Sequence, residues 1–278
     1  MQAVCCLTVM LLSFTACEDA EEFVEDETAA TTVTYTLTND DGSAVTLAKG
    51  WKIGVFVTDS DGKTTAMSGT VGENGQTVLP ASAQNGSVTM YSPWQEAWKS
   101  EAFSTAPSFS VQDDQSTAAG YQASDLMMGY AAAGSRTVTM KHLLARVVVH
   151  IIDETGQMDF AHAAVSLPSM LGTVSVDLPQ RRVTTQNVYS QVLMHAYAAT
   201  DHRLSAEGIV VPQTVAAGAP LFALRLYGSL HTSAATKQVT LQSGMTYTFT
   251  MRLTEYGLIP DGSSITDWES DREETLVI

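Results

Sequence analysis

Cysteine is missing from almost the whole chain: of 278 residues only Cys5, Cys6 and Cys17 carry a thiol, all within the first seventeen positions. A disulfide framework in the body and a CxxC or zinc-type cluster are thereby excluded. Positive charge is scarce as well, with 14 Lys and Arg against 30 Asp and Glu and a formal net charge of −16. Such a surface repels phosphate backbones and anionic headgroups, so nucleic-acid binding and electrostatic membrane docking are poor readings. No GxSxG, P-loop or GxGxxG motif occurs. The six histidines form no HExxH or HxH spacing and are expected to be structural or surface groups. "TDSDGKTT" (58–65) offers Asp59, Asp61 and Gly62, and "QDDQS" (112–116) offers Asp113 and Asp114, but neither completes a calcium loop. The chain is expected to have no catalytic site, metal site or cofactor.

The three cysteines mark the N-terminal segment. Residues 3–16, "AVCCLTVMLLSFTA", are apolar, short for a mature membrane span but suited to a signal-peptide core. "FTAC" then resembles a bacterial lipobox. Cleavage after Ala16 would leave Cys17 as the lipidated residue, and several acyl chains there would anchor the protein durably. No Lys or Arg precedes the apolar run, and Phe14 stands where Leu is commonest. The alternatives are a plain signal peptide cut at Ala16 and a buried N-terminal helix. Seven of the 30 acidic residues lie between Glu18 and Glu27, so residues 17–30 read as a solvated acidic tether.

From residue 31 onward the pattern is β. "TTVTYTLT" places Val33, Tyr35 and Leu37 on one face, and "MTYTFTMRL" does the same with Tyr247, Phe249, Met251 and Leu253. "KIGVFV" and "ARVVVHII" are denser in apolar residues, as central strands are. Asn-Gly or Asp-Gly pairs begin at Asp41, Asp61, Asn74, Asn85 and Asp261 and predict tight turns. "ASDLMMGYA" and "KHLLA" allow a turn or two of helix at most. The class is all-β: two tandem antiparallel β-sandwich domains, at 31–143 and 144–278, following the signal peptide at 1–16 and the tether. The aromatic group Tyr91, Trp94 and Trp98 in "YSPWQEAWKS" admits two readings. Exposed rings would stack on a glycan, whereas a helical turn would bring the two tryptophans together against a core.

Five segments in order resemble the fimbrillin family, the type V pilus subunit and accessory lipoproteins of Bacteroidetes. They are "LAKGWKIGVFV", "DDQSTAAGYQASDLMMGYA", "VTMKHLLARVVVHI", "IVVPQT", and "LQSGMTYTFTMRL" followed by "ITDWES". The resemblance implies transthyretin-like sandwiches and a precursor anchored to the outer membrane, surface-exposed or built into a fimbrium. It also implies partners that are other fimbrial subunits, joined by strand exchange, and adhesion to a host or bacterial surface ligand. In polymerising members a protease removes the first strand, and a strand from the next subunit fills the groove. Here "TTVTYTLT" would be the removable strand and "EETLVI" (273–278) a candidate donor. The family's cut follows an Arg, but no Arg precedes Arg136, and the first basic residue after Cys17 is Lys49. Lys49 is therefore the candidate protease site. Stalk, anchor and tip roles stay open, as does a monomeric ligand-binding lipoprotein.

Overall fold

The computed structural model describes residues 32–100, 103–200, 202–268 and 273–276. The expected signal peptide at 1–16 and tether at 17–30 therefore lie outside the described residues.

The first half supplies β1 (Thr32–Thr38), β2 (Lys52–Thr58), β3 (Thr64–Thr70), β4 (Gln76–Pro80), β5 (Ser87–Ser92), β6 (Ser108–Ser110), β7 (Met127–Ala131) and β8 (Thr137–His142), with a helix α1 (Ala118–Ser124) before β7. Seven of these strands form one sheet in the order β3-β2-β5-β7-β8-β1-β4. A bridge between Val71 and Thr77 brings its two ends together, so the sheet rolls up on itself. Alternation explains its interior: Val33, Tyr35 and Leu37 from β1, Ile53, Val55 and Val57 from β2, and Val138 and Met140 from β8 fill one core.

The dense run in β2 has a further cause. Phe56, Tyr91 and Met128 project from the opposite face of β2, β5 and β7 and belong to a second core. These three strands are buried on both sides, and strands so placed lose the polar half of their alternation. Trp98, Phe109, Val111 and Leu126, from the connections and short strand between β5 and β7, belong to that second core as well.

The second half continues with β9 (Ala145–Asp153), β10 (Ala164–Leu171), β11 (Thr173–Asp177), β12 (Arg182–Thr185), β13 (Tyr189–Leu193), β14 (His195–Thr200), β15 (Arg203–Val210), β16 (Gln213–Val215), β17 (Pro220–Leu226), β18 (Ser229–Ala234), β19 (Val239–Leu241), β20 (Met245–Thr254), β21 (Gly257–Asp267) and β22 (Glu273–Leu276). A six-stranded sheet, β14-β15-β9-β20-β21-β22, shares a core with a four-stranded sheet, β13-β10-β17-β18. Phe222 and Phe249 meet edge to face across that core at 5.3 Å. Two small sheets, β12-β11-β6 and β16-β19, complete the framework. The all-β expectation holds, and pairings between described strands are antiparallel apart from β1 with β8 and β9 with β20.

Local expectations fared unevenly. Gly42, Gly62 and Gly75 take positive φ in their turns. Asp261-Gly262 instead lies inside β21, where the register with β20 shifts between Thr250 and Met251; the extra residue there makes a bulge rather than a hairpin end. The helix expected within "ASDLMMGYA" lies mostly upstream of it, in α1, and Met127–Ala131 is strand. Met127 and Met128 are buried toward different cores, an alternation that only an extended chain gives.

The turn after β9 is organised by Asp153. Its carboxylate accepts hydrogen bonds from Thr155 N (2.9 Å), Thr155 Oγ1 (2.7 Å), Gln157 N (2.7 Å) and Met158 N (2.7 Å). Burial pushes this carboxyl up, but those bonds outweigh it and hold it below the usual carboxylate range. A depressed folded-state pKa means stability that is present above the unfolded carboxylate value and lost as pH falls through the folded one. Asp153→Asn should therefore lower the thermal midpoint at pH 7. The gap from the parent should narrow as pH is taken below about 4, which calorimetry across that range would measure.

Candidate functional site

The strand expected to be exchanged, β1, sits between β4 and β8. It pairs antiparallel with β4 from Thr32↔Pro80 to Thr36↔Gln76, and parallel with β8 over Thr36 to Thr38 only. Tyr35 and Leu37 are fully buried and Val33 nearly so; burial of three such side chains stabilises by roughly 6 kcal/mol. The Tyr35 hydroxyl donates to Ala83 O at 2.8 Å, and the Arg136 guanidinium lies over its ring at 5.4 Å. Burial pushes the Tyr35 hydroxyl up, with Arg136 pulling the other way.

The connection from β1 to β2 carries Lys49. Ala48 and Trp51 close a turn through a 2.9 Å backbone bond, and Gly50 within it has φ of 86°. The Lys49 side chain is 71% exposed and pairs on the surface with Glu73 at 2.5 Å, a contact of small net strength. At the other end of the chain, β22 pairs antiparallel with β21 and forms the edge of the six-stranded sheet. Ala16 and Cys17 lie outside the described residues.

The three candidate aromatics are brought together. Tyr91 lies 4.8 Å from Trp98 and 6.2 Å from Trp94, centroid to centroid. Tyr91 and Trp98 are 1% and 2% exposed, and Trp94 is partly buried against the same core. A 3-10 turn, Glu96–Ser100, places Trp98. With Tyr91 and Trp98 buried, their ring faces are closed to a sugar, and this arrangement supports packing. Tyr91 stands directly opposite Gly54 across β2 and β5, and a Cβ at Gly54 would lie 1.8 Å from the Tyr91 ring. The glycine of "KIGV" is the space that the ring fills.

The family-like motifs acquire physical content. In "DQS", the fully buried Gln115 amide accepts from Ile209 N (2.7 Å) and donates to Ile209 O (2.8 Å), acting as a strand edge for β15. Asp114 accepts from Ser116 N, and in "SDLM" the Ser124 hydroxyl accepts from Gln112 N. Asp125 Oδ1 is 2.7 Å from His142 Nδ1, and His142 stacks on Trp268 at 4.0 Å with 4° between planes. Thus "SDLM", "KHLL" and "ITDWES" converge on one junction. Trp268 walls a cleft of about 600 Å³ there, between the Asp40–Asp41 turn and the start of β20. Beside it, Glu207 accepts from Arg146 Nε (2.8 Å) and from the Tyr121 hydroxyl (3.2 Å), tying α1 to β15. The histidine spacings do not single out His142; its place in the segment "VTMKHLLARVVVHI" is the usable signal.

The remaining polar candidates have structural partners. Asp59 accepts from Asp61 N and Lys63 N within its hairpin turn, and Asp113 accepts from Ser190 Oγ. His150 Nδ1 meets Ser205 Oγ at 2.8 Å, and its imidazole is pushed down by burial and then by Arg203. Among the described residues no group of three or more His, Cys, Asp or Glu could hold a metal ion.

Together these features define the class: an all-β protein with two cores, a first strand closing a rolled sheet, and a motif-built junction between its halves. The chain belongs to the fimbrillin-like family, which it matches over residues 31–268. No curated protein matches it in sequence. Among solved structures it is similar to a candidate cell adhesion protein from Bacteroides uniformis, with TM-score 0.63, 17% identity, and 86% of this chain and 99% of that one covered. A candidate cell adhesion protein from Bacteroides ovatus gives 0.63, 14%, 87% and 98%. The tip fimbrial protein Mfa3 from Porphyromonas gingivalis, with C-terminal truncation, gives 0.51, 11%, 85% and 98%. At these identities the likeness is one of fold. Membership of the fimbrillin-like family associates the chain with cell-surface fimbriae.

Two substitutions test the local architecture. Gly54→Ala should destabilise by about 3 kcal/mol in urea denaturation, because the ring and backbone have little room to separate. Gln115→Leu, similar in size, should cost roughly 3 kcal/mol by leaving the Ile209 N–H and C=O unpaired, and should speed hydrogen exchange at the Ile209 amide.

Proposed function

We propose that this chain is a structural subunit of a fimbrium, exported as a lipoprotein on Cys17 and joined to its neighbours by strand donation into the β1 groove. The observation that carries the reading is the form of β1: one short strand supplies Val33, Tyr35 and Leu37 to the first core and is followed by the exposed Lys49. Cleavage at Lys49 would sever β1 from β2. Its departure would open a groove flanked by the unpaired backbone of β4 and β8, the situation that β-augmentation repairs. An incoming strand repeating the alternation of polar and large apolar residues would restore both the hydrogen bonds and the core.

The role needs strands and no catalytic pocket, and we read the chain as non-enzymatic. One observation favours a second version of the same role. No Arg precedes Arg136, so an Arg-specific protease has no cut before β2, and a member that keeps its first strand would serve as the lipid-held base of the fimbrium or as an accessory adhesin.

Surface appendages isolated from an expressing strain provide the test. Polymerised subunit should begin at Gly50 and run as detergent-resistant ladders without heating, and Lys49→Gln should abolish both. An acylated Cys17 in the filaments would assign the base role. Absence of the protein from every filament preparation would overturn the subunit reading.

A further inference from the structure

The outer face of the four-stranded sheet, turned away from the second core, is concave and holds a cavity of about 450 Å³, within the roughly 300–1,000 Å³ of small-molecule sites. The residue types make it so. Phe222 and Leu224 of β17, with Val165 and Leu167 of β10, point into the core, and alternation turns Ser166 and Ala223 outward. These two are register partners at the centre of the sheet and are only 7% and 6% exposed. Their small side chains sink the floor. Arg225 and Leu230, paired across β17 and β18, stand at its margin, with Leu230 57% exposed.

The chemistry of the lining is selective. Arg225 forms no ion pair with a described residue, and no described residue of the lining carries a carboxylate, although acids outnumber bases 30 to 14 in the chain. Gln191 Nε2 donates to Ser166 Oγ at 3.2 Å, which leaves the Ser166 hydroxyl proton and the Gln191 carbonyl for a ligand, with the Thr232 hydroxyl on the same lining. A guanidinium recognises a carboxylate in bidentate fashion. Alternating donors and acceptors match ring hydroxyls, and the Leu230 side chain offers an apolar contact for a ring face. The floor also disfavours a peptide bound by strand addition, because β10 and β17 each have neighbours on both sides and expose no backbone edge there.

We infer that this pocket binds a carboxylate-bearing sugar, a uronic or sialic acid, with Arg225 holding the carboxylate and Ser166, Gln191 and Thr232 the hydroxyls. The inference does not depend on strand exchange. Calorimetric titration and saturation-transfer NMR on the full chain would use the methyl glycosides of D-glucuronic, D-galacturonic and N-acetylneuraminic acid, with methyl glucoside and acetate as comparators. At least one acidic sugar should bind tenfold more tightly than either comparator. Arg225→Gln should weaken it at least tenfold at an unchanged unfolding midpoint, since that side chain is exposed, and Ala223→Leu should abolish it by filling the floor. Binding of no acidic sugar, equal binding of acetate, or parent-like affinity in Arg225→Gln would overturn the assignment. Should Ala223→Leu also lower the midpoint, Arg225→Gln decides.

Discussion

The structure depends on a wall with two occupied faces. β2, β5 and β7 bury Ile53, Val55 and Met90 toward the rolled first sheet, and Phe56, Tyr91 and Met128 toward the second core. The ring of Tyr91 lies flat on Gly54 at the middle of this wall. Without that glycine the wall could not be close-packed on its second face, and Trp98 would lose the ring it packs against. The two halves of the chain are consequently not independent beads. A strain at the wall reaches both cores, because packed interiors transmit displacement rather than absorb it.

Much of this was legible in the sequence wherever one face of a strand meets water. Val33, Tyr35 and Leu37 in β1, and the alternating apolar residues of β20, declare their inward face because threonines occupy the other. Where both faces are covered the period disappears. "KIGVFV" could be read as central, but not as a partition between two cores. The parallel pairing of β1 with β8 was hidden for a related reason: register between strands a hundred residues apart is set by the closure of the sheet, and no local pattern encodes it. Asp261-Gly262 looked like a hairpin turn because bulges and turns draw on the same permissive residues.

At the candidate site, legibility followed chemistry in the same uneven way. Lys49 stood out because cations are few in this chain. Tyr91, Trp94 and Trp98 stood out as a concentration of rings, yet spacing alone does not say which way rings point. Gln115 was visible only as part of "DQS"; nothing local shows that its amide supplies β15 with a donor and an acceptor where backbone would otherwise be unpaired. His142 and Trp268 are 126 positions apart and stack in parallel planes; only the fold makes them neighbours. The shallow pocket on the outer sheet was invisible for the opposite reason. Serine, alanine, glutamine and threonine are ordinary surface residues until curvature gathers them.

The rolled first sheet also sets the life history of its own surface. While β1 is in place, the bridge between Val71 and Thr77 nearly closes the ring, and a ring of strands presents little edge for a stray chain to join. Withdrawal of that one strand would turn a protected cylinder into a slit one, with two facing rows of unpaired amides and carbonyls along β4 and β8. Such a species is adhesive to any extended segment it meets. If β1 leaves as proposed, the six strands that stay behind pass from a closed surface to one that recruits a partner, and a single stave separates the two states.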